Sequence, residues 1–143
     1  MLTERAGVQI KMHYITIEDL VPEVHFLRKL ENTVDFSFIY DEVRDLYCSN
    51  NGRPGIDPVV LVKYLLVGYL YGIESERRIE QEIQVNMAYR WFLGLDLDDR
   101  VPDHSTISQN RRRRFQGDNL YRRLFEQILR QCMENAWWMG RSF

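Results

Sequence analysis

Residues 58–73, "PVVLVKYLLVGYLYGI", constrain this chain more than any other stretch. Wound into a helix, the run is apolar nearly all the way round. Such a helix has no broad side it can give to water, so it belongs at the centre of a core with other elements packed over it. Asp57 followed by Pro58 makes a helix start: an N-cap, then a proline at the first helical position, where its missing N–H costs nothing. The spacing predicts a helix from 58 to about 71, with Gly68 and Gly72 either permitting close helix contact or ending it. The run contains Lys63 and falls short of the roughly 18–20 residues a membrane span needs. The N-terminal "MLTERAGVQIKMHY" carries charges and lacks the apolar centre of a signal peptide. A cytoplasmic protein with no membrane partner is expected.

Several amphipathic segments are available to cover that central helix. The 143 residues suit one domain with a real core, and a hydrophobic fraction of 45% excludes a disordered chain. "TIEDLVPEVHFLRKLENTV" (16–34) starts extended and becomes helical, with Pro22 placed near a first turn and Leu27 and Leu30 inward. In "DFSFIYDEVRDLYC" (35–48), Phe36, Ile39, Tyr40, Val43, Leu46 and Tyr47 repeat at helical spacing, and Asp35 is the expected N-cap. "SNNGRPGID" (49–57) is a loop. Ser75 is a candidate cap for a helix lined by Ile79, Ile83 and Met87. "MAYRWFLGL" (87–95) predicts a short helix ending near Gly94, with Trp91, Phe92 and Leu93 in the core. After a charged loop, "DHSTISQNRRRRF" (103–115) predicts a helix capped by Asp103 or Ser105. A last helix over 117–135 is expected to be capped by Asp118, with Leu120, Leu124, Phe125, Ile128 and Leu129 inward. Period-2 alternation is missing, so the fold class is all-α: a compact bundle of six or seven helices. The expected organisation is an extension over 1–20, a helical domain over 21–135 and a tail over 136–143.

Catalytic chemistry finds little support. His13, His25 and His104 stand apart, with no HExxH and no Cys/His grouping. Cys48 and Cys132 read as two reduced thiols. "DLDD" (96–99) lacks the ligand spacing of a calcium loop. Neither a phosphate-binding glycine loop nor a nucleophile elbow is present.

Charge is more informative. Residues 1–99 carry 10 basic and 17 acidic side chains, whereas residues 100–143 carry nine arginines against four acids. The formal net charge of -2 therefore hides a basic C-terminal part, which suits a polyanion partner. Its focus is "PDHSTISQNRRRRF" (102–115). On a helix Ser105, Ser108, Gln109 and Arg112 share a face, flanked by Arg111, Arg113 and Arg114. Serine and glutamine can bond base edges, and arginine forks grip phosphate or guanine. The competing reading is a solvated basic helix paired with acidic groups of the same domain. Helices at 76–84 and 87–94, followed by this basic helix, form a helix-turn-helix-like part, although the connection before 103 is longer than that motif's tight turn.

Three blocks in this order, "GRPGIDP", "SERRIEQEIQVNMAYRWFLGL" and "VPDHSTISQNRRR", resemble the InsH-type N-terminal domain of bacterial insertion-sequence transposases. The resemblance runs from about Val21 to Met133. It implies a helical domain placed before an RNase-H-like catalytic domain, and recognition of the element's terminal inverted repeats in DNA transposition. The DNA-contacting candidates it implies are Ser105, Thr106, Ser108, Gln109, Arg111, Arg112, Arg113 and Arg114, with Arg77 and Arg78 secondary. No residue here matches the family's Asp/Asp/Glu triad, so no catalytic or metal-binding residue is expected. No cofactor is expected in this chain either, since the divalent metal would belong to the missing catalytic domain. A truncated or frameshifted transposase, or a fragment of one, is expected. Its partners would be double-stranded DNA at transposon ends and either a second copy or the full-length transposase.

Overall fold

The computed structural model describes residues 1–47, 55–114 and 120–135, with side chains given for all of these except 45–47 and 113–114. Eight helices and no strand are present among the described residues: α1 (Ile17–Leu20), α2 (Phe26–Thr33), α3 (Phe38–Tyr47), α4 (Pro58–Tyr71), α5 (Glu76–Val85), α6 (Met87–Leu93), α7 (His104–Arg114) and α8 (Leu120–Asn135). The all-α class is as expected. The count exceeds six or seven because α1, a single turn, is a separate element.

α4 takes the central place that its composition demands. Leu61, Val62, Tyr64 and Val67 are fully buried, and α3, α5 and α6 pack around it. Its ends are set by local chemistry. The Asp57 carboxylate accepts from the Val59 N–H at 2.8 Å, and Gly72 closes the helix in the left-handed region at φ 67°. Gly68 serves the other purpose: a Cβ there would meet Cδ1 of buried Ile79, so a side chain at this position makes Ile79 or α5 shift. The burial is incomplete at the C-terminal turn, where Tyr69 is 73% exposed. No single described helix is long and apolar enough to cross a membrane; α4 and α5 reach that length only as a pair bent by 93°.

Three cations are buried in this core among the described residues. Lys63 on α4 bonds Glu31 at 2.7 Å and the Phe92 carbonyl at 3.1 Å, with its ammonium over the rings of Phe36 and Phe92. Arg28 on α2 donates to the carbonyls of Glu18, Val21 and Pro22, pairs with the Glu18 carboxylate, and stacks over Trp91. Arg90 on α6 donates to the carbonyls of Gln84, Asp96 and Asp99. It thereby holds the loop that leads to α7.

Some local expectations need correction. Pro22 lies in a turn before α2 rather than in its first turn; His25 caps α2, its Nδ1 accepting from the Leu27 N–H at 3.0 Å. Asp35 closes a turn instead of capping α3. Its carboxylate accepts from the Ser37 N–H and hydroxyl, and α3 begins at Phe38. Tyr40, expected inward, is 42% exposed and donates its hydroxyl to Asp57. On α8, Leu120, Leu124 and Ile128 are buried but Leu129 is 58% exposed. The apolar stripe is there, and the core meets only its near edge. Ser75 caps α5 and Gly94 ends α6, as the pattern indicated. The expected cap Asp118, Cys48, Phe115, most of the 49–57 loop and the 136–143 tail lie outside the described residues.

Candidate nucleic-acid interface

α7 begins at its own aspartate. The Asp103 carboxylate accepts from the N–H and the hydroxyl of Ser105, which makes Asp103 the N-cap and places Ser105 in the first turn. Hydrogen bonding, first from the Ser105 hydroxyl and then from its N–H, holds the Asp103 carboxyl below the usual range. Ile107, wholly buried, anchors the helix to the core.

One side of α7 lies against α5. Arg111 donates to Glu76, Nη2 to Oε1 at 2.8 Å and Nε to Oε2 at 3.3 Å, and the Ser108 hydroxyl reaches the same carboxylate at 3.2 Å. One turn further along α5, Glu80 accepts from the His104 N–H at 3.0 Å and lies 2.8 Å from His104 Nδ1. As α5 advances from 76 to 80, its contacts on α7 recede from 111 to 104, so the two helices run antiparallel. The Glu76 hydrogen bond pushes the Arg111 guanidinium further up from its already high value. On this side positive and negative groups neutralise each other.

A second face, about 100° round the helix and opposite buried Ile107, is open. Ser105, Thr106, Gln109 and Arg112 are all exposed, and Arg112 makes no ion pair among the described residues. The expected face of Ser105, Ser108, Gln109 and Arg112 is therefore divided: three members face outward while Ser108 turns to Glu76. Arg111 sits with Ser108 on the α5 side and is 42% exposed at its side chain. The side chains of Arg113 and Arg114 lie outside the described ones. Arg77 and Arg78 are exposed on α5. At about 100° per residue, Arg77 lies on the shoulder next to Glu80, while Arg78 is about 160° round from it, away from α7.

The approach to α7 differs from a tight helix-turn-helix. Residues 94–103 connect α6 to α7, whereas the four-residue connection from α4 to α5 makes the 93° corner.

His104 does not stand alone, as its sequence neighbourhood suggested. His104, Glu80 and Asp103 bring one ligand atom each within 4.8 Å of one another. A cation there would compete with existing bonds, because Glu80 Oε1 already accepts the His104 N–H and Asp103 caps the helix. The groups that sequence reasoning missed are Glu76 and Glu80. Both read locally as ordinary helix-surface acids, and their partners lie 35 and 24 residues away.

The Transposase domain (DUF772) family model matches residues 15–113, from just before α1 to nearly the end of α7. No curated protein and no solved structure matches the chain. With more than two thirds of its length matched, the chain belongs to the Transposase domain (DUF772) family.

Proposed function

We propose that this chain is the DNA-binding N-terminal domain of an insertion-sequence DDE transposase of the InsH type, which recognises the terminal inverted repeats of its element. The observation that carries this reading is the two-sided character of α7. Its Arg111 side is packed against α5, and its outer side leaves Ser105, Thr106, Gln109 and Arg112 exposed together. Arginine offers a fork for phosphate or guanine, while glutamine and the hydroxyls suit base edges. Arg113 and Arg114 continue the same basic run, and Arg77 on the α5 shoulder suits a flanking phosphate. Such a module works at the nucleoid, on duplex DNA.

The test is retention on duplexes bearing the parent element's ends, followed by fluorescence anisotropy across a salt series. Log affinity should fall with log salt by about 0.9 per phosphate contact. Arg112→Ala with Arg113→Ala and Arg114→Ala should abolish retention without unfolding the domain. Undiminished binding by that triple variant would overturn the assignment to α7.

A second reading is supported by a different surface. Leu129 and Met133 on α8 are more than half exposed, which suits a protein-interaction or regulatory module that pairs with another copy or with full-length transposase. Size-exclusion chromatography with light scattering tests it, and a monomer at high concentration speaks against it.

A further inference from the structure

α8 carries two parallel ridges along its outer side. Phe125, Leu129 and Met133 form an apolar ridge at four-residue spacing, with Leu129 58% and Met133 52% exposed. Beside it runs a second ridge, Arg122, Glu126, Arg130 and Glu134, all exposed and strictly alternating in sign. Exposed Tyr69 and half-exposed Leu70 of α4 extend the apolar surface beyond the helix, across a groove of about 560 Å³ that Leu66, Leu129 and Met133 also line. Among the described residues the charged ridge makes only weak bonds: Arg122 to Glu126 at 3.4 Å, and Arg130 to Gln127 at 3.1 Å. Exposed pairs of this kind add little to the stability of a single chain, so the pattern has no strong purpose within the monomer.

We infer that this face of α8 docks on the same face of a second copy of the chain, with the two α8 helices antiparallel about a twofold axis near Ile128. The charge order selects that arrangement. When two identical helices are antiparallel about residue 128, Arg122 of one copy comes level with Glu134 of the other, and Glu126 with Arg130. All four cross-contacts are then between opposite signs. A parallel pair would set each charge against its own copy and bring like charges together, which costs free energy and excludes that register. Leu129 and Met133 of the two copies pack beside the paired charged ridges, in the manner of an isologous interface. The inference deepens the interaction reading and is independent of DNA binding by α7.

The experiment uses the full chain in sedimentation velocity and light scattering from micromolar to millimolar concentration. The wild type should dimerise with increasing concentration. Glu126→Arg puts arginine against Arg130 twice in each dimer, and Arg130→Glu puts glutamate against Glu126 twice. Each variant alone should lose at least about tenfold in dimer affinity. An equimolar mixture of the two should recover the dimer, since both cross-contacts are again of opposite sign. The chain carrying both changes should recover it as well. The sites are exposed, and circular dichroism will verify that the variants fold. A dimer that survives Glu126→Arg unchanged, or a mixture that stays monomeric, overturns this surface while leaving dimerisation itself standing. A wild type that is monomeric throughout overturns both this inference and the self-association reading, and leaves the α8 face to a different protein.

Discussion

Arg111 and Glu76 form a two-pronged pair between α7 and the first turn of α5, with contacts of 2.8 and 3.3 Å. Glu76 also accepts from Ser108, and its backbone carbonyl accepts the Tyr64 hydroxyl of α4 at 2.8 Å. The position thus joins the central helix to the basic one. It also removes one of the four consecutive arginines from the set available to a polyanion, and it leaves Arg112 outward.

This division separates two arginines that are adjacent in sequence. Arg112→Ala should leave stability unchanged and make the salt dependence of DNA binding shallower by about 0.9 in slope. Arg111→Ala should leave that slope unchanged and lower stability by about 1 kcal/mol, a figure kept small because the pair is partly exposed. Denaturant unfolding and salt-series anisotropy on the two variants decide it. Equal slopes for both would mean that Arg111 leaves Glu76 to reach DNA.

Glu76→Gln tests the same pair from its acidic side. Removing the carboxylate frees Arg111 and takes a negative charge away from the interface. DNA affinity should rise, and the salt slope should steepen by up to about 0.9, while stability falls by about 1 kcal/mol. The check is the same pair of measurements. Weaker DNA binding in a folded Glu76→Gln protein would show that the ion pair positions α7 instead of holding one arginine back.

How much of this was legible in the sequence follows from the range of each interaction. The starts of α4 and α5 and the ends of α4 and α6 were readable because their chemistry is local: Asp57–Pro58, Ser75, Gly72 and Gly94 act on neighbours within a turn. The burial of Lys63 was not readable. An ammonium inside an apolar run looks like an interruption until Glu31 and the two phenylalanine rings are brought to it by folding. The same holds for Arg90, whose carbonyl partners are set by how α6 meets the following loop. Leu129 shows the limit of periodicity. The pattern identifies an apolar stripe but not how much of its width the core will cover. In the candidate site, the basic helix and its cap region could be read directly, but the division of its residues between α5 and solvent could not.

Arg90 makes a prediction about how α7 is held. Arg90→Ala removes a buried guanidinium from three carbonyls, at residues 84, 96 and 99. The expected loss is about 2–4 kcal/mol, since hydrogen bonds to charged donors contribute more than neutral ones. Urea unfolding measures it. Hydrogen exchange should show faster exchange across residues 96–107 than in α4. A loss confined to a few tenths of a kcal/mol would mean that water replaces the guanidinium without consequence.

Acid should weaken the fold in a defined direction. Asp103 is held below its usual range by the Ser105 hydroxyl and N–H, and Asp35 by the Ser37 hydroxyl and N–H. Glu18 is lowered first by the Trp91 indole N–H and then by Arg28. A lowered carboxyl in the folded state contributes stability above its unfolded value, about 4. That contribution is lost as pH falls through the lower folded value. The melting temperature should therefore hold from neutral pH down to about 5 and decline below about 4. Asp103→Asn keeps a capping side chain but cannot titrate, so its acid decline should be shallower than that of the wild type. Identical acid profiles for the two proteins would remove the α7 cap from the explanation.

Gly68 controls how closely α5 approaches α4, and so where α7 can sit. Three atoms surround the absent Cβ: Cδ1 and Cγ1 of Ile79 at 2.4 and 3.2 Å, and the Ile73 carbonyl at 3.4 Å. Ile79 is 4% exposed, so its tip has little space to withdraw into. Alanine would recover about 1 kcal/mol of helix propensity and lose a comparable amount to crowding, so its sign is a poor test. Valine adds two further methyl groups to the same space, and overpacking of a close-packed core costs about 1–3 kcal/mol beyond that. Gly68→Val should thus destabilise the domain and push α5 outward. Because α7 is tied to α5 through Glu76 and Glu80, DNA retention should fall with it even though no α7 residue has changed. Chemical denaturation and retention on duplex DNA, measured on the same preparation, give the result. A Gly68→Val protein with unchanged stability would show that α5 is not packed on α4 as closely as these distances require.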